Sequence, residues 1–379
     1  MAEPLKLLLN APLVAQAASH FARVAPGFDA QAFTAAATAG LDRLEFKARA
    51  MQIADALEAR LPADFDTAAG VIEAALAPAP APDHAPWGEL RAGADGLAGW
   101  ILWPVGEFIA RRGQTRPDRA LAALHALTQR FSAEFAIRPF LVQHPALVFA
   151  TLARWASDPS AAVRRLVSEG SRPRLPWGLR LQALVSNPSP SLPLLRALQD
   201  DPSEAVRRSV ANHLNDIARD HPALVAQWLA EHLPGAPAHR RALLRHASRT
   251  LIKAGDAAVL QAWGLGAAFR GRARLQLSAD TVTVGDSLQL TLQLDSTALA
   301  PQRLAIDYAV HHVKAGGHTS AKVFKGWVVE LAAGQSRQLV KRHSMKAIST
   351  RRYHAGAHAL DVRINGQVVA EACFLLALA

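Results

Sequence analysis

The sequence predicts a multidomain protein in which an all-α repeat region precedes an all-β sandwich. Three observations support this fold class. Apolar residues recur at spacings of three and four up to about residue 268, and one segment of that region occurs twice. After about residue 270, apolar and polar residues alternate instead. We therefore expect a helical domain over residues 1–268 and a β domain over residues 269–379.

The first part of the helical region contains amphipathic segments up to about residue 78: "LVAQAASHFARVA", "FDAQAFTAAATAGL" and "LEFKARAMQIADALEARL". The Pro-rich stretch "APAPAPDHAPWGEL" at 77–90 predicts a connector, because proline interrupts helices. Helical periodicity resumes at "GWILWPVGEFIARRG" and continues to the end of the region.

The repeat consists of "DPSAAVRRLVSEG" from Asp158 and "DPSEAVRRSVANH" from Asp201, eight of thirteen residues identical at an offset of 43. Each "DPS" predicts a helix start, with Asp or Ser as the cap and Pro near the first turn. The offset is typical of HEAT-type helix pairs, so we expect a HEAT-like solenoid. One stripe of the second copy is predicted to be core: Val206, Val210, Leu214 and Ile217.

A polar stripe follows the same helix of the second copy, formed by Arg208, Asn212, Asp216 and Arg219. In the first copy, Arg165 and Glu169 occupy the positions of Arg208 and Asn212. A solvated helix face accounts for the pattern equally well. The stripe nevertheless repeats in register and leads into the loop "SRPRLPWG", which favours a functional surface.

The loop itself combines stiffness with charge. Pro173 and Pro176 prevent a regular helix, and Arg172 and Arg174 would share one face if the segment were extended. A rigid connection between helices is the simpler interpretation. An anion-binding pair of arginines beside Glu169 is the functional one.

The C-terminal region contains about seven segments of alternating polarity separated by Gly, Asp, Ser and Asn: "RARLQLSAD", "DSLQLTLQLD", "RLAIDYAVHHV", "AKVFKGWVVEL", "QSRQLVKRHS", "GAHALDVRING" and "QVVAEACFLLAL". Strands of this number and length predict an immunoglobulin-like sandwich without a disulfide.

This β region is strongly basic, with eleven Lys and Arg against four Asp and Glu from 301 to 379. We place the basic residues in two predicted loops, one with His311, His312, Lys314, Lys322 and Lys325, the other with Lys341, Arg342, His343, Lys346, Arg351 and Arg352. A charged surface that serves only solubility normally mixes signs. Charge of one sign favours phosphate contacts, and we assign these to His311, Lys314, Lys322, Lys325, Arg342, Lys346, Arg351 and Arg352.

Composition limits the classes of binding partner that we expect. A formal net charge of +11 and a pI of about 10.6 favour nucleic acid over an anionic membrane. No apolar run reaches the ~18 residues of a membrane span, and the start is not a convincing signal peptide, so we expect a cytoplasmic, nucleoid-associated protein of bacterial type. A single cysteine, Cys373, excludes an internal disulfide and a cysteine metal cluster. We find no HExxH-type spacing, read "HH" at 311–312 as surface, and predict neither a metal nor a cofactor.

Three motifs in order, "RFSAEFAIRPFL" (130–141), "SEGSRPRLPW" (168–177) and "ANHLNDIARDHP" (211–222), resemble the AlkC-type DNA alkylation repair glycosylases. Larger members of that family join a HEAT-like solenoid to an immunoglobulin-like domain, so the resemblance covers nearly the whole chain. It implies hydrolysis of the N-glycosidic bond of 3-methyladenine and 3-methylcytosine in duplex DNA, without base flipping and without an obligate protein partner.

The resemblance also implies roles for residues in these motifs. The candidate catalytic acids are Glu134, Glu169 and Asp216. Trp177 would pack against the sugar and phosphate at the lesion. The DNA-binding set in this region is Arg165, Arg172, Arg174, Arg208 and Asn212.

The chemistry is consistent with acids in these places. A base alkylated at N3 is already cationic, so it leaves without a general acid, and positive charge develops on the sugar. Fixed carboxylates stabilise that charge and orient water, while nearby arginines keep them ionised. Neutral lesions should therefore be poor substrates. No lysine stands out as a Schiff-base nucleophile, so we expect a monofunctional enzyme without lyase activity.

Simpler interpretations remain at each acid. In these interpretations each acid forms an ion pair that holds the structure and has no catalytic role. Glu169 would pair with Arg172 or Arg165, Glu134 with Arg138, and Asp216 with Arg208 or Arg219. Two other functions also remain open at this point: a non-catalytic helical-repeat protein that binds damaged DNA, and a protein-interaction scaffold.

Overall fold

The computed structural model describes residues 5–82, 89–348 and 351–378, and the chain forms two compact units. The first comprises Met1–Asp220 with Pro237–Ala247, and the second comprises His221–Ala236 with Ser248–Ala379. Residues 83–88 of the predicted connector lie outside the described residues. The predicted boundary at 268 falls within the second unit, between its last helix and its first strand.

The first unit is built of helices, with one isolated β-bridge between Leu76 and Leu97 among its described residues. Its helices are α1 (Ala11–Val24), α2 (Ala30–Thr38), α3 (Phe46–Glu58), α4 (Phe65–Ala75), α5 (Leu102–Arg112), α6 (Pro117–Thr128), α7 (Arg138–Gln143), α8 (Pro145–Trp155), α9 (Ala161–Gly170), α10 (Gln182–Ser186), α11 (Leu192–Leu198), α12 (Glu204–Ile217) and α14 (Ala238–Ala247). Short 3-10 turns lie between several of them.

The second unit combines three helices with the strands. The helices are α13 (Pro222–His232), α15 (Arg249–Ala254) and α16 (Ala257–Ala262). The strands are β1 (Gly271–Leu277), β2 (Thr281–Thr283), β3 (Ser287–Ser296), β4 (Gln302–Val313), β5 (Thr319–Leu331), β6 (Ser336–Ser344), β7 (Gly356–Ile364) and β8 (Gln367–Ala377). The predicted order of helices followed by strands is confirmed.

The duplicated segment forms helices α9 and α12. Ser160 and Ser203 are their N-caps, and the Asp158 and Asp201 carboxylates each accept a hydrogen bond from the N–H of that serine, at 2.8 Å. The proline therefore lies directly before the cap, near the first turn as predicted. The predicted stripe from Val206 to Ile217 is fully buried.

An ion pair joins one copy of the repeat to the next. Arg164 of α9 donates to the Asp201 carboxylate at 2.6 and 3.1 Å, and both side chains are buried. Arg164 also donates to the carbonyls of Asp158 and Pro159, both at 2.8 Å. A guanidinium with this many partners fixes successive repeats at one spacing. We interpret this geometry as HEAT-like.

The strands form two sheets with the orders β1-β3-β6 and β2-β8-β7-β4-β5. Alternate leucines of β3, Leu288 to Leu294, are buried against Ile306 and Val310 of β4 and Val362 of β7. This period-two burial is what the alternating sequence predicts. The short strand β2 is an addition to the predicted segments, and it pairs in parallel with β8.

The predicted loop positions are wrong for the basic residues that lie on strands, because the strands continue through both segments. His311 and His312 lie on β4, Lys322 and Lys325 on β5, and Lys341, Arg342 and His343 on β6. The turn between β4 and β5 is short, with Gly317 at φ 77°. Of the residues assigned to phosphate contacts, His311 lies on β4, Lys314 follows it in the turn, and Lys346, Arg351 and Arg352 follow β6.

Candidate active site

The three candidate acids come from separate parts of the first unit. Glu169 lies in the last turn of α9 and Asp216 in the last turn of α12, so two copies of the repeat each supply one acid. Glu134 lies in the turn that precedes α7. Glu169 and Asp216 are therefore positioned by the packing of their helices, and Glu134 by a turn that leads directly into α7.

Gly170 allows α9 to approach α7 closely. A Cβ atom at this position would lie 2.6 Å from Ile137 Cγ2, which real side chains do not tolerate. Glycine is therefore required where the end of α9, carrying Glu169, meets the residue just before α7. This contact brings Glu169 towards the segment that contains Glu134.

The acids and two arginines form one alternating row. Arg165 lies between Glu134 and Glu169, with its guanidinium 3.0 Å from Glu134 Oε2 and 3.9 Å from Glu169 Oε1. Arg172 lies between Glu169 and Asp216. It donates to Glu169 Oε1 at 2.6 Å and to both Asp216 oxygens at 2.8 and 3.2 Å. The order Glu134, Arg165, Glu169, Arg172, Asp216 thus crosses neighbouring repeats.

Two serine hydroxyls donate hydrogen bonds to acids of the row. Ser209 of α12 donates to Glu169 Oε2 at 2.6 Å, and Ser132 donates to Glu134 Oε2 at 2.7 Å. Arg165 in turn donates to the Ser132 hydroxyl at 2.9 Å. Glu169 therefore has a charged partner on one oxygen and a hydroxyl on the other.

The surroundings shift the pKa values of two of the acids in opposite directions. Burial raises the pKa of Glu169, but Arg165, Arg172 and the Ser209 hydroxyl outweigh it and bring the pKa below its usual value. For Asp216 burial prevails over Arg172, and its pKa is raised. Of these two acids, Glu169 is the one that the site holds as a carboxylate.

His213 lies behind the row as a neutral group. It is fully buried on α12, and its Nδ1 lies 3.0 Å from the Ser168 carbonyl. Burial, with a smaller contribution from Arg172, lowers its pKa to about 3. An uncharged imidazole here leaves the positive charge of the row to the two arginines.

Of the ion pairs predicted for the three acids, the structure contains those of Glu169. Glu169 pairs with both arginines considered for it, whereas Glu134 pairs with Arg165 and Asp216 pairs with Arg172. Arg138, the expected partner of Glu134, is instead fully buried and donates to the carbonyls of Gly170 and Leu179. It clamps the two ends of the loop after α9.

The loop after α9 is not extended, and the prediction that Arg172 and Arg174 share a face is wrong. Residues 171–178 form successive turns, so the two side chains point to different partners. Arg172 is buried between two carboxylates rather than open to phosphates. Arg174 lies nearer the surface and pairs with both oxygens of Asp220 at 2.8 Å.

Trp177 projects from this loop in a strained conformation. Its φ is 64°, in the left-handed region that costs a residue with a side chain roughly 1–2 kcal/mol, and 59% of the residue is exposed. Strain of this kind concentrates at functional sites. Its ring meets the Phe46 ring edge-on, with centroids 6.4 Å apart.

The other predicted residues of the repeat lie outside the row. Arg208 is exposed and pairs with Glu204 at 2.6 Å, and Asn212 lies 2.9 Å from His246 of α14. Equivalent positions of the two repeats therefore differ in surroundings, since Arg165 contacts acids of the row and Arg208 faces solvent. Arg208 borders a cleft of about 420 Å³ between α12 and α14, and His246 lines the same cleft.

The basic residues of the β region divide into exposed and internal ones. Lys322, Lys325, Arg342, Lys346 and Arg352 are exposed. His311 pairs with Asp361 at 2.6 Å. The predicted surface position of the "HH" pair is wrong for its second residue, because His312 is buried, as is His343.

Within the described ranges, no group of three or more His, Cys, Asp or Glu is arranged to hold a metal ion. The same ranges contain no helix with the length and apolar character needed to cross a membrane.

Sequence reasoning missed several residues of the site. Ser209 and Phe46 contact named site residues, but hydroxyl and aromatic side chains at these positions carry no distinguishing pattern. Ser132, His213 and Arg138 lie inside two of the three family motifs, so their place in the sequence was a usable signal.

Comparisons with known proteins find a family match for the β region, a relative of most of the chain and a solved structure similar to 99% of it. Residues 272–378 match the family described as "Uncharacterised protein YhaZ, C-terminal Ig-like domain". "Uncharacterized protein YhaZ" of Bacillus subtilis (strain 168) is 38% identical over 278 residues, which is 72% of this chain and 75% of that protein. The solved structure "Pseudomonas fluorescens alkylpurine DNA glycosylase AlkC bound to DNA containing an abasic site analog" is 34% identical, with a TM-score of 0.89 over 99% of this chain and 100% of that one.

Proposed function

This chain belongs to the AlkC-type family of alkylpurine DNA glycosylases, and we propose that it hydrolyses the N-glycosidic bond of cationic N-alkylated bases in duplex DNA. The substrates we assign are 3-methyladenine and 3-methylcytosine, excised without base flipping. The observation that carries the proposal is the row of three carboxylates and two arginines across neighbouring repeats.

The first step breaks the C1′–N bond of the damaged nucleotide. Its electron pair leaves with the base and neutralises the positive charge of that base, so no proton is needed. The sugar becomes an oxocarbenium-like cation. Glu169, held ionised by Arg165 and Arg172, offers a fixed negative charge to stabilise that cation.

The second step adds water at C1′. A carboxylate of the row accepts the proton as the water attacks, which leaves an abasic sugar and a free base. Because the row is already hydrogen-bonded, its charges need little reorganisation during the reaction. Neutral lesions gain less from this arrangement, because their bases leave as poorer groups.

Trp177 and the arginines supply the remaining contacts in this proposal. An exposed indole offers a flat apolar face and one N–H donor to the deoxyribose or to a cationic base. Arg174 and Arg208 are the surface arginines that we assign to phosphates. The exposed basic residues of the β region add backbone contacts and make it a second DNA-contacting part.

Base release from DNA tests the proposal. Purified protein should liberate 3-methyladenine and 3-methylcytosine from methylated DNA, measured as free bases by chromatography, and should leave a neutral lesion such as O6-methylguanine in place. Tight DNA binding with no release of any base would instead support the non-catalytic damage-binding protein. Absence of salt-dependent DNA affinity would support a protein-interaction scaffold.

A further inference from the structure

Trp177 needs support that its own backbone does not provide. Its φ of 64° is strained, and 59% of the residue is exposed, so packing restrains the indole on one side only. The loop around it consists of turns. A ring contact from another part of the first unit therefore contributes to the direction of the indole.

The Phe46 ring packs against this indole. The two rings lie 6.4 Å apart at 85°, the edge-to-face arrangement that aromatic pairs favour. Phe46 is itself held from behind. Its ring lies 5.2 Å from the Trp103 ring at 78° and 5.1 Å from the Trp100 ring.

The same cluster reaches the segment that carries Glu134. The Trp100 ring lies 5.0 Å from the Phe131 ring, and the Trp103 ring lies 5.3 Å from the Phe135 ring. Phe135 is the sequence neighbour of Glu134. Continuous ring contacts therefore connect one end of the acid row to the exposed tryptophan.

The backbone at Phe46 is also fixed. Phe46 is the first residue of α3, and its N-cap, Glu45, makes no side-chain capping bond. Arg49, one turn later in α3, holds the preceding chain through its carbonyl groups instead. It is buried and donates to the carbonyls of Leu44 at 3.0 Å and Leu9 at 2.8 Å, which anchors the chain before the helix.

We propose that Phe46 is a positioning residue that holds the Trp177 indole in the direction needed for contact with the damaged nucleotide. This inference rests on the proposed function. It gives the N-terminal helices a role in the site, because Phe46 packs against a residue that lies 131 positions later in the chain.

A double-mutant cycle tests the coupling in the full-length chain. Phe46→Leu keeps apolar bulk but removes the ring, and it should lower kcat/KM for 3-methyladenine release by about tenfold, because small misplacements of a contacting group are costly. In a Trp177→Ala background, the same change should have little further effect. Equal losses in both backgrounds would overturn the proposal.

Phe28→Leu serves as the matched control. Phe28 is a buried aromatic residue of the same N-terminal region, packed on Phe21 and Phe33. If Phe28→Leu lowers kcat/KM by destabilising the N-terminal helices, the loss should be the same with Trp177 and with Trp177→Ala. Phe46→Tyr, which keeps the ring, should restore most of the activity; failure of Tyr to restore more than Leu would contradict the assignment.

A second readout needs neither DNA nor activity. In protein labelled with 5-fluorotryptophan, the Trp177 fluorine resonance is identified by its loss in Trp177→Phe. Phe46→Leu should move it towards the position of a solvent-exposed tryptophan, and Phe28→Leu should leave it in place. An unmoved resonance in Phe46→Leu overturns the positioning role. A moved resonance in a protein that releases no base rejects the proposed function alone.

Discussion

Arg172 is the side chain on which the charge balance of the site depends most. It is buried with a carboxylate on either side, Glu169 and Asp216, and makes three hydrogen bonds to them. Buried ion pairs of this kind contribute little net stability compared with apolar residues, but removal of one partner leaves uncompensated charge.

Replacement of Arg172 by Met should therefore destabilise the protein by about 3 kcal/mol, because two buried carboxylates lose their counter-ion. Urea unfolding measures this. Arg174→Met is the control, because the Arg174–Asp220 pair lies nearer to solvent and should cost under about 1 kcal/mol. Similar losses in the two variants would contradict the role assigned to the buried arginine.

The same variant should change the pH dependence of base release. The lowered pKa of Glu169 means that its contribution to stability is present above its ordinary value of 4.5 and is lost as the pH falls through the lowered one. Without Arg172 the pKa rises, so the acidic limb of activity should move to higher pH. An unchanged limb would show that Glu169 is not the group that titrates.

At the scale of helices, the contact of α9 with α7 decides where the acids meet. Gly170→Ala should destabilise the protein by about 1–3 kcal/mol and reduce base release, because the new methyl group collides with Ile137. Gly70→Ala in α4 is the control. A Cβ there has no neighbour within 4 Å, so the higher helix propensity of Ala should stabilise by about 1 kcal/mol. Equal effects at the two glycines would contradict the close-approach argument.

The strands provide a second pH-dependent element. Neither ring nitrogen of His312 has a hydrogen-bond partner among the described residues, and burial together with Arg351 lowers its pKa to about 3. Burial likewise lowers the pKa of His343 to about 4. Unfolded histidines titrate near 6.5, so between these values the unfolded chain binds more protons than the folded one, and stability falls as the pH falls.

His312→Phe should remove its share of this dependence. The wild type should lose up to about 1.4 kcal/mol per pH unit from this histidine between pH 6.5 and 4, and the variant should lose correspondingly less in urea unfolding at pH 7.5 and 5.0. His318→Phe, at an exposed position of the β4–β5 turn, is the control and should follow the wild type. Parallel pH curves for all three proteins would contradict the prediction.

The sequence predicted elements well and side-chain partners poorly, for a physical reason. The buried stripe from Val206 to Ile217 follows from helical periodicity, which is a local property. The place of Arg172 between Glu169 and Asp216 depends on how two helices of different repeats end, which no local pattern encodes. Strand β2 was missed because its three residues are too few to show alternation.

For the whole molecule, the excess of positive charge predicts DNA binding that weakens with salt. Lys322→Gln together with Lys325→Gln should lower affinity for undamaged duplex DNA and reduce the slope of log K against log salt by up to about 2, since each lost phosphate contact contributes roughly 0.9. Arg272→Gln with Arg274→Gln on β1 removes equal charge from the other sheet and is the control. Equal reductions would assign the effect to net charge rather than to the β5 residues.

The most direct test of the account is single-turnover release of 3-methyladenine by Glu169→Gln, with DNA binding measured in parallel. A fixed carboxylate at the developing sugar cation should be worth about a hundredfold or more in rate, whereas binding should stay close to that of the wild type. Asp118→Asn, at an exposed acid in the first turn of α6, should leave both unchanged. Wild-type release by a folded Glu169→Gln protein would contradict the central claim that this ionised acid stabilises the sugar as the charged base departs.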